Sequence, residues 1–397
     1  MRYFEAGFSF DSAAPAIIEL PNSKLIRIMA LLNSSVSSSF LSYLNPTLNY
    51  PPGPISNIPV LPSVITNDQI FEFSSSCIRL AKCDYDSFET SWDFQRHPLL
   101  RGKPLLADDA AEVEAEWQER FDSLKSNEEE LNRIFAKIYG LEGEVPIEVP
   151  DDKVSVHRFD RSRETRLLVS YAIGCMFGRY SLDVDGLVLA DQGSTLEDYL
   201  DKVPSPTFMP DEDGILPVTE GEWFEDDAAS RFSTWLRAAF GEEHFQENLR
   251  WVEESLGTSV RAYLAKPSAG GFYADHCKTY SVAGSGKRPI YWMFSSPKNS
   301  FNALVYMHRY DEGSVSRLLT GYVRELRRKL EAQADVLGRS STAKDQSTAA
   351  KYRDMASELA AWEHDVLYDL AQAHVAIDLD DGVKVNYAKF AGAVRKI

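Results

Sequence analysis

Cysteine is scarce in this chain: four in 397 residues, Cys77, Cys83, Cys175 and Cys277, none in CxxC spacing. A chain of this length can bury more than one core without disulfide staples, so the scattered thiols read as free. His276 and Cys277 are the one adjacent His–Cys pair, and nothing at zinc spacing joins them. Long apolar runs are missing too. Leu167 to Gly178 (LLVSYAIGCMFG) falls well short of the roughly 20 residues a bilayer span requires, and reads as a buried helix. The opening MRYFEAGFSF has neither a continuous apolar segment nor a small-residue cleavage site. A cytoplasmic protein with no membrane partner is expected.

Positive charge is also in short supply, with 42 Lys and Arg against 60 Asp and Glu and a net charge of −18. Phosphate repulsion excludes indiscriminate nucleic-acid binding through the whole surface, so any such contact has to be local. Hydrophobic content of 44% with 26% charged residues is that of a globular protein of two or three domains. No internal repeat is present. No serine or cysteine nucleophile has a matching histidine. The acidic clusters Asp183-Val184-Asp185-Gly186, Asp211-Glu212-Asp213-Gly214 and Asp378-Leu379-Asp380-Asp381 lack the distal glutamate of a calcium loop and read as Asx turns. Gly284-Ser285-Gly286-Lys287 lacks the leading glycine of a phosphate loop.

Against this background one stretch breaks the charge rule. Lys278 to Leu330 carries ten Lys and Arg against Asp311, Glu312 and Glu325, a net +7 that leaves −25 for the rest of the chain. Tyr280, Tyr291, Trp292, Phe294, Phe301, Tyr306, Tyr310 and Tyr322 are interleaved with those cations, a mixture that suits a phosphate-tracking surface. The same pattern has a plainer reading. PIYWMF (289–294) and FNALVY (301–306) read as two short buried strands, which would take most of the rings into a core. From Ser314 onward Val315, Leu318, Leu319, Tyr322, Leu326 and Leu330 recur at helical spacing and leave Arg317, Arg324, Arg327 and Arg328 off the apolar stripe, on a solvated face. The candidate nucleic-acid-binding residues are Lys287, Arg288, Lys298, Arg309, Arg317, Arg324, Arg327 and Arg328. No catalytic, cofactor-binding or metal residue is nominated.

The chain as a whole reads as α+β, predominantly helical and multidomain. Residues 1–65 open with strand-like FEAGFSF, then one helix over SKLIRIMALLNSSVSSSFLSYL, then a proline-rich loop. Residues 66–142 form a helical spacer in which Asp108 to Glu130 carries ten acids on a solvated face and Tyr139-Gly140 ends the helix. A mixed α/β domain spans 143–340 and includes the basic stretch; irregular strands and loops over Asp183 to Asp213 and two helices separated by Gly241 fall within it. Ser340 to Ala350 reads as a flexible connector, and 341–397 closes with a helix over Tyr352 to Val375 and a tail with a turn at Asp381-Gly382.

RPIYWMFSSPKNSFNALVYMHRY, the helix after it and the C-terminal IDLDDGVKVNYAKF resemble the C-terminal half of the PglX family, adenine-specific DNA methyltransferases of BREX phage-defence systems. LLNSSVSSSFLSYLNPTLNYPPGPISNIPV, ELNRIFAKIYGL, LVSYAIGCMFGRYSLD and DGILPVTEGEWFEDD extend the resemblance over nearly the whole chain. It implies the end of a target-recognition region at the N-terminus, S-adenosylmethionine as cofactor of the full-length enzyme, and duplex DNA, an upstream methyltransferase domain and other BREX proteins as partners. NPTLNY is not the Asn-Pro-Pro-Tyr loop of adenine methyltransferases, because Thr47 replaces the second proline and the aromatic is displaced to Tyr50. No glycine-rich loop suited to close approach of S-adenosylmethionine is present. The chain alone is therefore expected to bind no cofactor and to be inactive; a module docking other defence proteins without touching bases is the alternative.

Overall fold

A computed structural model of the chain describes residues 2–4, 7, 17–18, 20–44, 52–282 and 286–397. Most of the strand read into FEAGFSF, the whole of NPTLNY and the Gly284-Ser285 pair lie outside these residues. The chain folds as a mainly helical α+β protein of two compact units, Met1–Ser91 with Ala111–Phe159 and Trp92–Ala110 with Asp160–Ile397. All four cysteines are free thiols. Among the described residues no single helix is long and apolar enough to cross a membrane.

In the first unit the segment read as one helix breaks at Ser34 into Asn22–Asn33 and Ser35–Leu44, bent by 65°. Ser34 is extended and its hydroxyl, with that of Ser37, donates to the Leu31 carbonyl at 2.6 Å. Serine hydroxyls that take backbone carbonyls compete with the helical ladder, which is why a serine-rich sequence turns here. The helix Asp68–Tyr85 starts on Asn67, whose side chain accepts the Ile70 N–H. Along the long helix Leu106–Tyr139, Val113, Trp117, Phe121, Leu124, Leu131 and Phe135 are buried at 3- and 4-residue spacing, while Glu112, Glu114, Glu116 and Glu119 are exposed. The acid run is thus largely the solvated face of an amphipathic helix.

The second unit is built on a three-stranded antiparallel sheet in the order β1-β5-β4: β1 (Ile215–Pro217), β4 (Tyr291–Ser295) and β5 (Asn302–Tyr306). A two-stranded ribbon, β2 (Ser281–Val282) with β3 (Gly286–Lys287), lies between β1 and β4 in the chain. Every residue of β4 and β5 is buried, as the apolar runs of both strands predict. Trp292, Phe294, Ala303 and Val305 pack with Val315, Leu318, Leu319, Tyr322, Leu326 and Leu330 in one core. Tyr291 and Tyr306 lie on the other side, their ring centroids 4.8 and 5.6 Å from that of Phe177, just past the buried helix Arg161–Met176. The outer edge of β4 is covered by the C-terminal segment: Ser295 N–H donates to the Ala393 carbonyl and Arg395 N–H to the Met293 carbonyl, both at 2.9 Å.

Two expectations need correction. The basic helix is not regular, because Leu318–Val323 is a π-helical segment between Ser314–Arg317 and Arg324–Leu337. The connector at 340–350 is largely helix: Thr342 caps Ala343–Trp362 by accepting the Asp345 N–H, and the helix runs on through a second π segment, Glu363–Leu367, into Tyr368–Gln372. Small polar residues stop being a linker where one of them can cap and alanines follow. The two helices on either side of Gly241 are present, as Ala228–Phe240 and Phe245–Leu256.

Candidate nucleic-acid interface

The rings of the basic stretch serve the core. Tyr291, Trp292, Phe294, Phe301, Tyr306, Tyr310 and Tyr322 are all buried, and Tyr280 is half-buried. Base stacking on these seven is excluded by packing, so whatever the stretch offers a nucleic acid is charge.

The eight candidate cations fall into three groups. Arg309 is in the interior, 8% exposed, and donates to the carbonyls of Asp211 and Glu212 at 2.7 Å and of Phe177 at 3.4 Å. It is corrected from a surface residue to a structural one: the strand-to-helix turn after β5 directs it inward, where backbone carbonyls need a donor. The helix arginines are engaged by acids of the same chain. Arg317 pairs with Asp311 at 2.8 Å, Arg324 and Arg327 share Glu363 at 2.7 and 2.8 Å, and Arg328 pairs with Glu325 at 2.7 Å. Arg328, its side chain 70% exposed and held by a neighbour one turn away, is the most accessible of the four.

Lys287, Arg288 and Lys298 form the third group. They are exposed and in no ion pair among the described residues, as are Lys278 and Lys396. The fold brings these together with a residue that sequence reasoning missed. Arg395 donates to the Asn299 side chain at 2.9 Å, beside Lys298. Lys287 and Arg395 also act together on the Cys277 thiol: burial raises it, and the Tyr273 hydroxyl and then the two cations oppose the rise. Lys278 ends the helix Phe272–Thr279 from which the ribbon departs, and Arg288 N–H closes that ribbon onto the Tyr280 carbonyl at 2.8 Å. Lys298 and Arg395 are thus brought together through Asn299, and Lys287 and Arg395 through Cys277, while Lys278, Arg288 and Lys396 are further exposed cations of the same segments. The one available signal was the Arg395-Lys396 pair at the end of the chain, which has no meaning until that segment docks on β4.

Behind the basic helix the polarity reverses. Tyr322, on the π segment, donates toward Asp226 at 3.0 Å and toward both Asp213 oxygens at 3.3 Å. Burial, then the neighbouring Asp211 carboxylate, holds Asp213 well above the usual carboxylate range, and burial raises Asp226 as well. Asp211 itself caps a turn, one oxygen accepting the N–H groups of Asp213, Gly214 and Ile215. The Asx-turn reading of this cluster is what the hydrogen bonds show. Among the described residues no group of three or more His, Cys, Asp or Glu is placed to hold a metal ion.

No protein-family model matches the chain. The chain is 36% identical, over 98% of its length, to adenine-specific methyltransferase PglX of Lacticaseibacillus casei (strain Zhang). It is 35% identical, again over 98% of its length, to adenine-specific methyltransferase BrxX of Escherichia coli O9:H4 (strain HS). It spans about a third of the length of these curated relatives, 33% and 34%. The resemblance read from idiosyncratic strings in the sequence is thereby borne out, and the chain is a relative, along nearly all of its own length, of a one-third portion of the PglX and BrxX adenine-specific methyltransferases.

Proposed function

We propose that this chain is the DNA-recognition and assembly portion of a site-specific, S-adenosylmethionine-dependent adenine methyltransferase acting in BREX phage defence, with cofactor binding and methyl transfer supplied from outside the chain. The observation that carries the reading is the similarity to PglX and BrxX along 98% of the chain. A methyltransferase acting on an adenine in a duplex has to extrude the base, which demands a body that grips the backbone while the base leaves the stack. The exposed cations of the ribbon, the β4–β5 turn and the C-terminal segment suit that grip. Phosphate contacts set register and base-edge contacts set sequence, so site choice is assigned to a separate region, around Leu31 to Val60. Other subunits of the defence complex are proposed as protein partners. Docking alone, without DNA, is the second reading, favoured by the strongly acidic remainder of the chain.

A salt titration of duplex binding by the purified chain separates the two. Phosphate contacts give a steep fall of log affinity with log salt, and glutamine at Lys278, Lys287, Arg288, Lys298, Arg395 and Lys396 lowers that slope by about 0.9 for each phosphate no longer neutralised. Glutamine at Arg317, Arg324 and Arg327 changes it little. Absence of DNA binding at low salt leaves docking as the function. Calorimetry with S-adenosylmethionine tests the division of labour, and saturable binding to this chain alone refutes it.

A further inference from the structure

Four arginines are buried among the described residues, and three of them are met by acids or by three backbone carbonyls, although Nη1 of Arg120 makes no hydrogen bond. Arg27 meets Asp68 and two backbone carbonyls, Arg120 meets Glu116 and Asp84, and Arg309 meets three carbonyls. Arg179 is different. It is 9% exposed, yet its hydrogen bonds are two long ones to hydroxyls, Nε to Tyr180 at 3.3 Å and Nη1 to Tyr306 at 3.4 Å. A guanidinium has five N–H donors and a charge that is costly to bury without a counter-ion; this one has the Tyr180 ring 5.4 Å away but no ion pair among the described residues, so its donors and charge are only partly matched.

The groups around it are under-matched in the same sense. His276, 3% exposed, accepts the N–H groups of Ile290 and Tyr291 on Nε2, both at 3.2 Å. Its proton therefore sits on Nδ1, and that enclosed nitrogen has no hydrogen-bond partner. The enclosed Nδ1 of His308 has none either. Two rings connect the histidines: Tyr291 lies 4.6 Å from His276 and 5.4 Å from Tyr306, and Tyr306, which accepts from Arg179, is 5.0 Å from His308. Burial first, and then the Arg179 charge, pushes His276 down to about 3 and His308 down to about 4, so both are neutral and the cluster carries a net positive charge. Two features offset it in part: the C-terminus of the helix Arg161–Met176, just before Arg179, and the exposed Asp191 carboxylate, which acts on His308 and Tyr306 and is in no ion pair among the described residues. Half-buried His308 and Tyr280 bring the cluster to the surface on one side.

We propose that Arg179, in the ring cluster that also holds His276 and His308, is a binding site for the phosphate group of a phosphate ester, carried either by a small nucleotide or by a nucleic-acid backbone. A planar guanidinium with spare donors is matched to such an oxyanion, and a neutral histidine with a proton to donate adds to it without adding charge. The proposal is independent of the exposed cations, none of which belongs to the cluster.

Inorganic phosphate is the probe, titrated against chloride at constant ionic strength with the thermal midpoint of the full chain as readout. Phosphate is expected to raise the midpoint in the manner of a ligand specific to the folded state. Arg179→Met is expected to abolish that rise while leaving the midpoint in chloride unchanged or higher, because an apolar side chain of similar size removes an uncompensated buried charge. Arg179→Lys, which keeps the charge and loses the fork, is expected to weaken the rise and to guard against a folding failure of the methionine variant. The ring nitrogens of His276 and His308, followed by NMR, should titrate at higher pH with phosphate bound. Displacement of phosphate by a mononucleotide or by a duplex supports the site and tells which carrier it takes. A midpoint insensitive to phosphate, a rise that survives Arg179→Met, or a methionine variant less stable in chloride would each overturn it, the last by showing an arginine that serves the fold.

Discussion

Two arginines of the same basic stretch make opposite predictions. Removing the Arg309 side chain strands the carbonyls of Phe177, Asp211 and Glu212 in the interior. Arg309→Met should therefore cost on the order of 3 kcal/mol in urea unfolding, whereas Arg328→Gln on the surface should leave the unfolding midpoint essentially where it is. Asp213 gives a pH signature. Its folded-state carboxyl is raised, so the folded chain holds a proton that the unfolded chain releases; the associated stability is complete below the ordinary carboxylate value and is lost as pH rises through the raised one. Asp213→Asn keeps the acceptor for the Ile215 N–H and cannot ionise. It should flatten the loss between about pH 4 and neutrality and gain about 1 kcal/mol at pH 8, checked by unfolding at a series of pH values. Gly174 is fixed by close approach, not by its φ: a Cβ there would lie 2.4 Å from the Tyr180 ring. None of these roles was legible in the sequence, where Arg309 looked like one more cation of a basic run.

At the scale of elements, amphipathic patterning was readable and its interruptions were not. The apolar stripe from Val315 to Leu330 is buried as its spacing implies, but the π segments Leu318–Val323 and Glu363–Leu367 depend on how two helices meet. Arg324 and Arg327 reach one carboxylate, Glu363, which is 15% exposed and lies within the second π segment. Glu363→Gln leaves two guanidiniums side by side and should destabilise by about 1 kcal/mol or more, while Glu325→Gln, in a pair between neighbours on one helix, should be close to neutral. Thr342→Ala tests the corrected helix start: loss of the cap should cost about 1 kcal/mol, where a flexible connector would register nothing.

For the whole molecule, the C-terminal segment is the joint between fold and proposed function. It covers the β4 edge through Ala393 and Arg395 and supplies two of the candidate cations, Arg395 and Lys396. Deleting residues 391–397 should expose a strand edge, raising self-association in light scattering, and should lower the salt slope of DNA binding together with its affinity. The sequence by itself determined the family through strings too particular to arise by chance, the buried strands through unbroken apolar runs, and the helices through their 3- and 4-residue spacing, because each of these is written in neighbouring residues. Only the tertiary structure decided which charges remain available. Arg324 finds its acid 39 residues away and Arg309 its carbonyl 98 residues away, and Lys298 gains Arg395 as a neighbour from the far end of the chain. A charge is local in sequence, but its neutralisation depends on partners that packing brings to it.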